Sequence, residues 1–122
     1  MNLHAKLMER EAAGQPVTVG LIGAGKFGTM FAAQARLTGG MHLVAVADLD
    51  VARARSQLKA AGWPGEAYAA GSLADAHKKR TTFVTDSSEA LIADPRIEVI
   101  VEATGVPGAG IHHALRAVAN GK

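Results

Sequence analysis

The chain has no cysteine among its 122 residues, so it can form neither a disulfide nor a thiolate metal site. A reducing cytosol suits that composition. Long apolar runs are missing too: no stretch approaches the roughly 18 residues that a membrane span requires. The opening MNLHAKLMEREAAG carries acids and no apolar core, which is not the pattern of a secretory leader. The chain therefore reads as soluble and cytoplasmic, with no membrane partner. Neither sign of charge dominates, with 13 Lys and Arg against 11 Asp and Glu. The basic residues form no broad patch, so a nucleic-acid partner is not indicated. Their one run, Lys78-Lys79-Arg80, reads as a solvated turn before a strand.

What is present is an ordinary globular composition, 48% hydrophobic and 20% charged, in a length that suits one domain. Residues 1 to 15 read as a leading segment, helical over 2 to 13, with Leu3, Leu7 and Met8 on one face. Gly14-Gln15-Pro16 breaks it. Residues 17 to 22, VTVGLI, are apolar on both faces, as in a central strand. A helix is expected over 29 to 37, a second strand over 42 to 48 and a second helix over 49 to 61, with Val51, Ala54 and Leu58 facing inward. Residues 72 to 77 allow a turn or two of helix. A third strand is expected at 82 to 85, and Asp86-Ser87 caps a helix carrying Ala90, Leu91 and Ile92. A fourth strand over 97 to 103, a loop over 104 to 110 and a last helix over 111 to 119 follow.

This alternation of strand and helix predicts an α/β fold, a doubly wound parallel sheet of the Rossmann type in three layers. Ligands in such sheets bind beyond the carboxyl ends of the strands. Three loops reach that edge: Gly23 to Gly28, Asp48, and Thr104-Gly105. The first is the G-x-G-x-x-G of VGLIGAGKFG. A pyrophosphate needs backbone N–H groups at a helix start with no side chain in the way. Gly23 allows the sharp turn, Gly25 the approach of the phosphates, and Gly28 close packing of helix on strand. The pattern alone is weak. It gains weight from Asp48, an acid at the end of the next strand, about 20 residues on, where the adenosine ribose is bound. Asp48 favours NAD over NADP on charge, while Arg53 or Arg55, one turn into the next helix, can offset that repulsion of a 2′-phosphate. NAD and NADP both stay open. Lys26, inside the loop, reaches either a phosphate or solvent.

VGLIGAGKFG, AVAD and EALIADPRIEVIVEATGVPGAGIHHALRAVANGK together resemble the N-terminal domain of homoserine dehydrogenase-like NAD(P)-dependent oxidoreductases. The resemblance runs from Pro16 onward, and EATG at 102 to 105 is its most specific part after the glycine loop. The leading segment is similar to that of long bacterial reductases with an appended SAF-type domain, which include a deoxyxylulose-phosphate reductoisomerase-like branch. The resemblance implies that residues 16 to 122 are a cofactor domain, a piece of a longer reductase. Gly23, Ala24, Gly25, Lys26, Phe27 and Gly28 would wrap the pyrophosphate, and Asp48 would hold the ribose. Thr104 and Gly105 would border the nicotinamide ribose. The family's catalytic lysine and substrate-binding acids match no position here, so no catalytic residue is assigned. A small-molecule substrate would be held by another domain.

A free-standing module that senses a redox nucleotide through the same loop is the alternative. His112-His113 invites a metal reading, but neighbouring helical residues point about 100 degrees apart and no acid stands at i+4. No metal site is assigned. Trp63, between Gly62 and Pro64, is expected to pack over a helix end. With no fifth strand after AVANGK, the fourth strand should be an apolar edge that promotes a homo-oligomer.

Overall fold

The computed structural model describes residues 2–122. Met1, the first residue of the leading segment, lies outside the described residues. Four parallel strands form one sheet in the order β3-β2-β1-β4: β1 Val17–Ile22, β2 Met41–Ala47, β3 Phe83–Thr85 and β4 Val99–Glu102. Six α-helices accompany them among the described residues: α1 Leu3–Ala12, α2 Lys26–Arg36, α3 Val51–Ala60, α4 Leu73–Lys79, α5 Ser88–Ala93 and α6 Pro107–Ala119, with one 3-10 turn at Gly65–Tyr68. This is the three-layer, Rossmann-like doubly wound arrangement that the alternating pattern predicts. No helix among the described residues is long and apolar enough to cross a membrane.

Strand periodicity divides the core in two. Val19 and Leu21 of β1 face one side with Leu43, Val46 and Val84, packed under Ala32 and Ala35 of α2 and Ala54 and Leu58 of α3. Ile22, Val44, Ala45 and Ala47 face the other, under Ala76 of α4 and Leu91 and Ile92 of α5. The register between β1 and β2 slips by one residue after Val19, which pairs with Leu43 while Gly20 pairs with Ala45. That bulge explains why Val44 and Ala45 both belong to the second cluster. Where Gly20 crosses under α5, a Cβ would stand 3.2 Å from both Ile100 and Leu91.

Several boundaries differ from expectation for local reasons. α2 begins at Lys26 rather than 29, because Gly25 in extended conformation serves as its N-cap. α3 begins two residues later than expected, at Val51, where the Asp50 side chain accepts from the Arg53 amide. α6 takes in most of the expected 104–110 loop: Pro107 sits at its start, where a fixed φ and a missing N–H cost nothing. β3 starts at Phe83 and β4 covers only 99 to 102 of the expected strand. Lys78 and Lys79 are not a turn but the end of α4, and Arg80 follows with φ 53°. α1 has no buried residue and Leu3 is exposed, but Leu7 and Met8 of the expected apolar face lie against Gly40 and Gly39, where an added Cβ would stand 2.8 Å from the Leu7 Cβ and the Met8 Cε. Polar contacts add to this: Arg10 to Glu98 at 2.6 Å, Glu11 to Arg80 at 2.6 Å and to the Gly40 amide at 2.8 Å. Trp63 packs in the first cluster with the Arg36 guanidinium 5.9 Å from its ring centre, as its place at a helix end suggests.

β3 and β4 are the two edges, and Val99 of β4 is exposed. Leu58, 1% exposed in the first cluster, and Leu37, 76% exposed, test this account of the core. Leu58→Ala should cost about 2–5 kcal/mol in urea unfolding, whereas Leu37→Ala should stay within about 0.5 kcal/mol.

Candidate functional site

The carboxyl ends of β1, β2 and β4 open onto a cleft of about 500 Å³, a volume typical of small-molecule sites. Of the residues singled out by the sequence, Gly23, Gly25, Asp48, Arg53 and Thr104 line it. A second cavity, of about 330 Å³, lies at the opposite ends of the strands beside Glu11, Trp63 and Arg80. Only the first has the glycine loop at its mouth.

The loop's shape follows from crowding. Gly23 has φ +101° and a Cβ there would lie 2.7 Å from the Ala103 carbonyl oxygen. Gly28 sits so close under the turn that a Cβ would lie 2.0 Å from the Gly23 oxygen. Gly25 is the opposite case: nothing stands within 4 Å of where its Cβ would be. The first two glycines let α2 start directly where β1 ends, and the third leaves the space before that start open. The first intrahelical bond runs from Thr29 N–H to the Gly25 carbonyl at 2.9 Å. The amides before it point out of the helix start, and no side chain caps them. α1, α3, α4 and α5 are each capped by a side chain, whereas α2 and α6, both beside the cleft, are not. Backbone donors and the positive end of the helix dipole suit an anion there. Lys26 and Phe27 are exposed and line no part of the cleft. Ala24 is buried, and Gly105, with φ +70°, turns the chain after β4.

Asp48 ties the loop to β2. Its carboxylate accepts from the Ala24 amide at 2.9 Å, the Asp50 amide at 2.9 Å and the Arg53 guanidinium at 2.9 Å. Burial pushes this carboxyl up, but the Ala24 and Asp50 amides and Arg53 together outweigh it and hold the group below its ordinary value. Arg53 is the arginine that reaches the cleft; Arg55 turns away, toward the Tyr68 carbonyl at 3.4 Å.

At the β4 end stands a pair, Glu102 and His113, whose meeting the sequence pattern did not foretell. Glu102 accepts from the Thr104 amide at 2.7 Å and the Thr104 hydroxyl with one oxygen, and the His113 Nδ1 bonds its other oxygen. Both side chains are largely covered, at 23% and 12% exposure. Burial raises the Glu102 carboxyl, yet the Thr104 hydroxyl and amide and the His113 ring bring it below its usual value. The signal in the sequence was an acid closing a strand and a histidine in the next helix. The two meet because α6 starts early, at Pro107, and brings its second turn over the end of β4. His112 points elsewhere, to Glu89 at 3.3 Å. No group of three or more His, Cys, Asp or Glu stands together as a metal site among the described residues.

No known family model matches the chain, and none of the curated proteins does. The fold and the geometry of the cleft therefore carry the functional reading.

Asp48 yields a pH prediction. A carboxyl lowered in the folded state stabilises fully above its unfolded value, near 3.8, and that contribution is lost as pH falls through the folded value. The stability difference between the native chain and Asp48→Asn should accordingly be largest near neutrality. It should shrink below about pH 4, as followed by urea unfolding at each pH.

Proposed function

We propose that this chain binds a nicotinamide dinucleotide, NAD or NADP, as the cofactor domain of an oxidoreductase of the homoserine dehydrogenase-like kind. The observation that carries the reading is the uncapped start of α2 at Gly25, open to an approaching anion, within the same cleft as Asp48. A pyrophosphate fits the free amides of the loop, and the ribose hydroxyls fit the Asp48 carboxylate at the end of β2. Thr104 lines the other half of the cleft, beyond the loop, and Gly105 turns the chain next to it. A nicotinamide dinucleotide supplies hydride chemistry when bound, and the chain supplies binding and orientation. The carbonyl or hydroxy substrate and the groups that act on it belong, on this reading, to residues other than these.

The chain's own residues shape the choice of nucleotide. Asp48 keeps its negative charge near the ribose, and Arg53, exposed and already paired with it, is the cation at hand for a 2′-phosphate. Exposed Val99 on β4, with Ile111, Leu115 and Val118 on α6, supports self-association as part of the same reading.

Titration with NADH and NADPH, followed by the fluorescence of the reduced nicotinamide, tests the proposal. Trp63 lies at the other end of the sheet and is not a reporter of this cleft. Gly25→Ala should leave the thermal unfolding midpoint close to native while weakening both nucleotides at least about tenfold, or ~1.4 kcal/mol. Arg53→Ala should weaken NADPH more than NADH. Nucleotide binding that is unaffected by Gly25→Ala, or no binding to the native chain, contradicts the proposal.

A further inference from the structure

We infer that Glu102 and His113 form a proton-linked charge site that distinguishes the oxidised from the reduced form of the nicotinamide. The inference rests on the dinucleotide reading above and extends it.

Sheet order sets the location. β2 and β4 flank β1 on opposite sides. With the pyrophosphate at the loop after β1 and the adenosine ribose at Asp48 after β2, the nicotinamide half of the molecule falls toward the end of β4. Glu102 ends that strand, and His113 lines the cleft beside Thr104. The hydrogen bonds fix the pair's chemistry. Thr104 occupies one Glu102 oxygen and the His113 Nδ1 the other. A neutral imidazole in this arrangement carries its proton on Nδ1, toward the carboxylate, and leaves Nε2 free to take a second one. No hydrogen bond engages Nε2 among the described residues.

The pair therefore has two charge states. With a neutral imidazole it carries one negative charge; with a protonated imidazole it carries none. An oxidised nicotinamide ring is a cation and a reduced one is neutral. The cation is favoured by the pair's anionic state, while the neutral ring is nearly indifferent. By linkage, binding the oxidised nucleotide expels a proton from the pair and binding the reduced one does not. The pyrophosphate and adenosine are common to both nucleotides and cancel.

Other charges around the pair do not reproduce this behaviour. Asp86 lines the same cleft and forms no ion pair with the pair's imidazole. Glu89 of α5 faces α6 and is engaged by His112 and Arg116, each at 3.3 Å, in an exposed cluster where solvent screens it. Across the cleft Asp48 is matched by Arg53 at 2.9 Å. His112 is the other imidazole on α6 and serves as the control.

The test is calorimetric titration of the full chain with NAD⁺ and with NADH, between pH 5.5 and 8, in two buffers of different ionisation heat. The inference expects a fraction of a proton, at most about 0.4 for a fivefold linkage, released with NAD⁺ and none with NADH. It also expects the preference for NAD⁺ over NADH to fall by about fivefold as the pH is lowered across that range. His113→Gln should flatten the dependence, and His112→Gln should keep it. Equal proton counts for the two nucleotides, or a pH-dependent preference that survives His113→Gln, overturns the inference and leaves dinucleotide binding standing. Failure of the native chain to bind either nucleotide removes both. If His113→Gln unfolds, as judged by helical circular dichroism, the two-buffer proton count on the native chain decides the matter by itself.

Discussion

Everything at the functional edge depends on how closely α2 is pressed against the end of β1. Gly28 in the first turn of the helix and Gly23 at the strand's end leave no room for a side chain; a Cβ on Gly28 would stand 2.0 Å from the Gly23 oxygen. Contact this close requires the helix to begin immediately where the strand stops. Its first amides are then left without a side-chain cap, next to Gly25, which lines the cleft. β1 can serve as a fixed origin because it lies between β2 and β4 and is packed on both faces, with Leu21 fully buried.

The polar groups around that origin complete one another. Asp48 collects two amides and a guanidinium, and so ties the end of β2 and the start of α3 to the glycine loop. Glu102 does the equivalent at β4, holding the Thr104 turn and the His113 ring of α6. Each carboxylate is partly buried and each is kept ionised by the donors around it. The cleft is in this way organised before any ligand arrives, with an acid on either side of a cationic helix end.

Features set by near neighbours were legible in the chain. The apolar run of β1, the glycine spacing and Asp48 at a strand end located the cleft, and Ala54, Leu58, Leu91 and Ile92 are buried as their helical spacing requires. Features set by distant partners were not. The order of the strands, the bulge at Val44 and the seating of α1 through Arg10 and Glu11 depend on residues tens of positions away. The Glu102–His113 pair stayed hidden for a similar reason. The glycines at 105, 108 and 110 suggested a loop, while Pro107 starts a helix there and carries His113 onto Glu102.

The central claim is that the open start of α2 receives the phosphates of a dinucleotide. Amide-resolved NMR of the chain titrated with NAD⁺ tests it most directly. The account predicts that the largest shifts fall on the amides of Gly25, Lys26, Phe27 and Gly28, with a second group at residues 48 to 50. Shifts centred on Trp63 and Arg80 at the far end of the sheet, or none at all, would contradict it.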